Sequence, residues 1–222
     1  MKRIVMFGLM IGVAMSGAAV AEDWVDITPD ADLTDWVQRG GVAKYKVEDG
    51  VVIGTSVPNT GNSFICTKKT YGDFILEFEF LGHEELNSGV QVRSESKADH
   101  KDGRVHGYQV ELEQENRDRY WSGGIYDEAR RGWIDPMKDD KAAEKAFGES
   151  GKKIWKRGDW NTVRVEARGD SIRTWVNGET RANLKDDMTL NGFIALQVHG
   201  VGGNEKPMTV KWRNIRIQEL DE

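Results

Sequence analysis

Apolar and polar residues alternate along most of the chain in short runs that glycine interrupts. A period of two belongs to strands with one buried and one polar face. The clearest run is Phe74-Ile75-Leu76-Glu77-Phe78-Glu79-Phe80, with Phe74, Leu76, Phe78 and Phe80 on one side. Similar runs cover 44–47, 51–55, 89–93, 108–113, 162–167, 172–176, 193–199 and 208–218. Asp49-Gly50 and Asn177-Gly178 are two-residue hairpin signals, because a type I′ turn needs positive φ at both central positions. The second joins 171–176 to 179–182. Only 139–147 carries a helical pattern, within a polar insert over about 128–158. Nine or ten short strands with almost no helix predict an all-β fold of two packed antiparallel sheets. No internal repeat or long linker divides the chain, so 22–222 is expected to be one domain.

The phase of three strands shows where polar groups gather. In 89–93, Val90 and Val92 face one way, Gln91 and Arg93 the other. In 108–113, Tyr108, Val110 and Leu112 oppose Gln109, Glu111 and Glu113. In 193–199, Ile194, Leu196 and Val198 oppose Gln197 and His199. Such arrays fit a sheet face in water as well as one that binds a polar ligand. There are 8 Trp, and Trp121, Trp133, Trp155 and Trp160 fall in or beside the insert. An indole face can stack on the apolar face of a sugar ring, although core packing is the commoner use of any one Trp. Trp175 and Trp212 lie within strands and are expected to pack.

Charge and the N-terminus narrow the partners. Met1-Lys2-Arg3, the apolar run 4–15 and the small residues to Ala21 read as a signal peptide 1–21, too short to span a bilayer comfortably. Export to the periplasm or medium is expected, with no membrane partner after cleavage. Removing Lys2 and Arg3 from 31 basic residues leaves 29 against 37 acidic ones, a formal charge of −8. That balance disfavours nucleic acid. Cys66 stands alone in an apolar context, as a buried inert thiol would. His83, His100 and His106 show no metal spacing and are expected at the surface. Asp99 and Asp102 lack the pattern of a calcium loop. A divalent metal is left open with no ligands assigned, and the oligomeric state is also open.

Asp73 to Phe80, Asn87-Ser88-Gly89-Val90, Gly107-Tyr108-Gln109-Val110-Glu111, Gly123-Gly124-Ile125-Tyr126, Asp159-Trp160-Asn161, Val176-Asn177-Gly178, Leu196-Gln197-Val198-His199-Gly200 and Arg213-Asn214-Ile215-Arg216-Ile217 occur in this order. Together they resemble the 3-keto-disaccharide hydrolase domain family over nearly the whole chain after the leader. The resemblance implies a concanavalin A-like jelly-roll sandwich and action on glycosides oxidised at C3. Many members have Glu then Gln in the strand where this chain has Gln109 then Glu111.

A C3 ketone acidifies the C2 proton, so such a site needs a base near C2, an acid at the glycosidic oxygen and donors at the C3 oxygen. Glu111 and His199 are the candidate proton-transfer pair and Arg93 the candidate for the developing oxyanion. Gln91, Gln109, Glu113 and Gln197 would hold sugar hydroxyls. Tyr126, Glu128, Arg131 and Trp133 would come from the covering loop. Glu111 could equally be a plain hydroxyl acceptor, His199 a turn cap and Arg130-Arg131 a solvated basic patch. Two other functions stay open: a non-catalytic sugar-binding module, and a laminarinase-like retaining glycosidase using Glu111-Leu112-Glu113-Gln114-Glu115. The last requires two carboxylates about 5–5.5 Å apart.

Overall fold

The computed structural model describes residues 23–113, 115–136 and 140–221, so the expected leader lies outside the described residues. In chain order the strands are β1 Val25–Asp26, β2 Trp36–Gly40, β3 Lys44–Glu48, β4 Val51–Thr55, β5 Ser63–Thr67, β6 Phe74–Leu81, β7 Ser88–Glu95 and β8 His106–Leu112. They continue as β9 Ile125–Glu128, β10 Gly132–Asp135, β11 Asn161–Arg168, β12 Ser171–Val176, β13 Glu179–Lys185, β14 Phe193–Val198 and β15 Thr209–Glu219, with helix α1 at Lys141–Ile154 before β11.

The strands form two antiparallel sheets. One runs β13-β12-β11-β6-β15-β4-β3 with β1 beside β15, and the other runs β10-β9-β8-β7-β14-β5-β2. Phe74, Leu76, Phe78 and Phe80 from the first sheet meet Val90, Val110, Leu112, Leu196 and Val198 from the second in one core. The result is a jelly-roll sandwich, as the alternation and the resemblance predict. Both hairpin signals form turns with positive φ at each central residue: Asp49 and Gly50 link β3 to β4, and Asn177 and Gly178 link β12 to β13.

Two differences from the sequence reading matter. β1, β2, β5, β9 and β10 have no counterpart among the patterned runs. β5 is buried at all five positions, because Phe64 and Cys66 on its far side join Val105, Phe193 and Ala195 in a second apolar cluster. A strand covered on both faces shows no alternation. Helix α1 starts later and runs further than 139–147, from the Asp140 cap, whose Oδ1 accepts from Ala142 N at 2.9 Å and Ala143 N at 3.0 Å. Buried Arg181 ties that helix to the segment after β8. It donates to Tyr120 O, Ser122 O, Phe147 O and Ser150 Oγ, with its guanidinium 3.5 Å from the Phe147 ring centre.

Candidate functional site

Strands β7, β8, β9 and β14 carry their core residues toward the first sheet, so their alternate side chains emerge on the opposite face. Gln91 pairs with Gln109 across β7 and β8, and Gln109 with Tyr126 across β8 and β9. Gln109 Oε1 accepts from Gln91 Nε2 at 2.6 Å and from Gln197 Nε2 at 2.8 Å. Its own Nε2 donates to Glu111 Oε2 at 3.0 Å, and Asn87 Nδ2 donates to Glu111 Oε1 at 2.6 Å. Gly89 lies beneath this row. A Cβ there would come within 2.5 Å of Gln109 Cδ, so only glycine lets the amide lie flat across β7.

This network floors one end of a cavity of about 250 Å³. Gln109, Glu111, Tyr126, Glu128, Trp133 and His199 all line it. The chain thus brings six of the eleven sequence candidates to one hollow, with Glu111 and His199 on the same one. Glu111 is 5 % exposed, and burial is the largest influence on its carboxyl, raising it to about 7 against the opposing donors Asn87 and Gln109. Neighbouring Glu113 adds to the rise and Arg119 counters it. His199, exposed just beyond β14, has Nδ1 2.7 Å from Gly200 O. A carbonyl only accepts, so Nδ1 carries a proton and Nε2 is the nitrogen left to exchange one.

The aromatic wall is built edge to face: Trp133 sits 5.3 Å from Tyr126 and 5.1 Å from Trp121, at 76° and 88°. Arg119 covers the Trp121 ring at 4.2 Å and also donates to Glu113, from Nε at 2.6 Å. Glu128 accepts from Arg104 Nη2 at 2.7 Å.

Five candidates lie elsewhere. Gln91 and Gln197 are fully buried behind Gln109 and shape the site from below. Glu113 falls past the end of β8, where Arg119 and Trp121 N hold its carboxylate. Arg93 is misassigned by strand phase. The β7–β8 register shifts between Val92 and Glu95, and Arg93 takes φ 45°. After this bulge Ser94 faces the amide row, donating to Gln91 Oε1 at 2.7 Å. Arg93, fully buried, instead donates to Gly72 O, Gly169 O and Asp73 Oδ1 at 2.6–2.7 Å. It clamps β6 and the β11–β12 turn and cannot meet a ligand in the cavity. Arg131 is likewise structural. It donates to Asp127 and Asp186, and Arg130 donates to Asp127, so both are ion-paired, with Arg131 still at the surface. Asp127 alternates with the cavity residues Tyr126 and Glu128 and so points the other way.

Asn62, Asn87, Arg104, Arg117 and Arg119 also line the cavity and escape the sequence reading, because all stand outside regular strand alternation. Among the described residues Arg117 carries no ion pair or hydrogen bond, whereas Arg104 and Arg119 are both paired. The other expectations divide. Cys66 is buried, and desolvation lifts its thiol to about 12, which leaves it inert. His106 is not at the surface: it is 3 % exposed and stacked 3.9 Å from His100. No group of three His, Cys, Asp or Glu among the described residues converges on a metal position. Trp155 packs on Phe80 and Trp160 under Arg213, both away from the cavity.

The chain matches the 3-keto-alpha-glucoside-1,2-lyase-like domain over residues 23–218. It belongs to that family. No curated protein matches it. Among solved structures, a protein of Parabacteroides distasonis provisionally named a glycosyl hydrolase is 18 % identical, with a TM-score of 0.60 over 90 % of this chain and 95 % of that one. A Bacillus subtilis protein of galectin-like fold is 12 % identical, with a TM-score of 0.60 over 89 % and 94 %. The carbohydrate binding module CBM66 of Bacillus subtilis is 16 % identical, with a TM-score of 0.50 over 84 % and 96 %. At these identities the likeness is one of fold. In this member of the lyase-like family the cavity combines a buried carboxyl raised to about 7, an imidazole and a guanidinium with no partner among the described residues, which together can move protons and meet a developing negative charge. Membership of that family makes the protein carbohydrate-active.

Proposed function

We propose that the protein is an exported enzyme that cleaves glycosides carrying a ketone at C3. The observation that carries this reading is Glu111: a buried carboxyl raised to about 7, held by two amides and open to a cavity it shares with His199. A base of that strength suits removal of a proton made acidic by an adjacent ketone. Glu111 takes the proton from C2, and the electron pair moves to the C3 oxygen as an enediolate. The C3 carbonyl then re-forms, a C1–C2 double bond appears, and the bond from C1 to the glycosidic oxygen breaks. Protonated His199 gives its Nε2 proton to the departing oxygen. Water adding later across the double bond completes hydrolysis. Arg117 replaces Arg93 as the cation for the C3 oxygen, since among the described residues it alone of the cavity's guanidiniums shows no other partner. The Tyr126–Trp133 wall receives the sugar ring. The apolar leader supports export to the periplasm or medium.

The retaining-glycosidase reading loses its second carboxylate. Glu113 is bound by Arg119, and Glu115 accepts from Gly158 N. Glu128 lines the cavity, but Gly107 is its register partner, four residues from Glu111. The two Cα atoms are therefore ~14 Å apart on strands ~4.8 Å apart with ~3.4 Å per residue, so both side chains would have to lean together to reach the carboxyl spacing of a glycosyl-enzyme intermediate, and Glu128 is instead held by Arg104. A binding-only module is favoured by the CBM66 likeness. Incubating the protein with a 3-keto-glycoside, its unoxidised parent and a β-glucan separates the three readings. Cleavage of the keto sugar alone is expected, while glucan cleavage or binding without turnover would overturn the proposal.

A further inference from the structure

The cavity does not end at His199. A second hollow of about 220 Å³ adjoins it, and Asn87, Arg117 and His199 line both. Leu86 and Met208, 1 % and 2 % exposed, line only the second with half-buried Val201, while Glu85 and Asn204 carry polar groups there. Each hollow is smaller than the roughly 300–1,000 Å³ of a site for a drug-sized ligand, but together they fall within that range.

We infer that the two hollows are the two halves of one cleft, and that the second receives the leaving sugar. This rests on the reading of Glu111 and His199 given above. The bond to be broken must lie where the compartments meet, because His199 stands at that junction and Glu111 lines only the first. The ring whose C2 proton is removed therefore sits over Glu111, and the departing oxygen lies beside the imidazole. The junction is held in place by its backbone. Asn62 Oδ1 accepts from Gly200 N at 3.0 Å, Asn116 N donates to Glu84 O at 2.9 Å, and Gly200 O holds the His199 ring. The chemistry of the second hollow fits one sugar residue. Val201, backed by buried Leu86 and Met208, offers apolar surface to a ring's C–H face, and Glu85, Asn87 and Asn204 offer donors and acceptors to its hydroxyls. Among the described residues no Trp, Tyr or Phe lines this compartment, in contrast to the first. It should hold its sugar more loosely and release it first.

The test compares a 3-keto-disaccharide with the methyl glycoside of the same 3-keto sugar. The wild type is expected to show at least tenfold higher kcat/KM on the disaccharide. Asn204→Trp, at an exposed position that the fold tolerates, and Val201→Phe should each shrink that preference at least fivefold by filling the second hollow. An unchanged preference in both variants, or a wild type indifferent to the leaving group, would overturn the inference. If the wild type cleaves neither substrate, the functional reading fails, and calorimetry with the same two ligands decides the compartment alone. Asn204→Trp must then weaken the disaccharide at least fivefold more than the methyl glycoside, and equal weakening rejects the second compartment.

Discussion

Gln109 donates to Glu111 across 3.0 Å while its own oxygen is already committed to Gln91 and Gln197. The two amide donors fix which way the Gln109 side chain points, because an oxygen that accepts twice leaves only the N–H₂ to face the carboxyl. The buried amide row is thus a one-way relay that ends on Glu111. It holds the carboxyl in place and opposes, without cancelling, the rise that burial imposes.

The first prediction concerns pH. With Glu111 as the base, kcat/KM should rise as pH climbs through about 7 and fall again at higher pH, once the acid that protonates the leaving oxygen has lost its proton. Glu111→Gln should lower turnover at least a thousandfold while sparing ligand binding. Stability carries the same signature with opposite sign. The folded carboxyl titrates near 7 and the unfolded one near its ordinary 4.5, so above pH 4.5 the unfolded chain releases this proton first. The wild type therefore loses stability relative to Glu111→Gln between about pH 4.5 and 7, by on the order of 3 kcal/mol at full effect. Urea unfolding of both proteins across that window measures it. A constant difference would show that Glu111 titrates normally.

Two arginines should behave oppositely. Arg93→Met takes the cation from the Asp73 carboxylate, which keeps only Gly169 N, and the side-chain donor from two carbonyls, a loss of about 3 kcal/mol for a buried pair broken on one side. The molecules that remain folded should keep their kcat. Arg117→Gln removes an exposed cation with no partner among the described residues and should change stability by no more than about 0.5 kcal/mol. Its kcat/KM should nevertheless fall at least tenfold. Thermal melts beside steady-state kinetics on both variants check the pair, and a catalytic loss confined to Arg93→Met would reverse the assignment.

These two residues also show how far the sequence could be read. Strand phase is a local property, so it placed Gln109 and Glu111 on one face and Tyr108, Val110 and Leu112 in the core without knowledge of the fold. It failed at Arg93 because one bulge inverts every later side chain, and nothing in Val92-Arg93-Ser94 announces it. It was silent on β5, where both faces are covered. It missed Arg117 and Asn87 because their places at the cavity come from loops and long-range packing, which carry no period. The resemblance supplied what periodicity lacked, the jelly-roll connectivity, but it could not tell a ligand-facing arginine from a sealed one.

Gly89 tests the relay. Gly89→Ala sets a methyl group within 2.5 Å of Gln109 Cδ, so Gln109 must lift and release some of its partners. Overpacking of this kind costs about 1–3 kcal/mol. Glu111 then loses a donor to its ionised form, and its titration should move further above 7. The expected result is a lower urea midpoint together with a shift of the acid limb of the pH–rate profile to higher pH. A destabilised variant whose pH profile does not move would show that Gln109 is only a packing element.

Trp133 separates holding the sugar from reacting with it. Its ring lines the cavity, and edge contacts from Tyr126 and Trp121 fix its orientation. No proton transfer passes through an indole here, so its contribution is to binding in the ground and transition states alike. Trp133→Ala should raise KM about two- to tenfold, the range that corresponds to the 0.5–1.5 kcal/mol of an aromatic contact, and change kcat less than twofold. Trp133→Phe should restore most of the affinity, because a ring face is what the sugar meets. Steady-state kinetics on the 3-keto-disaccharide decide the matter. A fall in kcat with KM unchanged would mean that Trp133 orders the neighbouring Tyr126 and Glu128 and does not receive the ring.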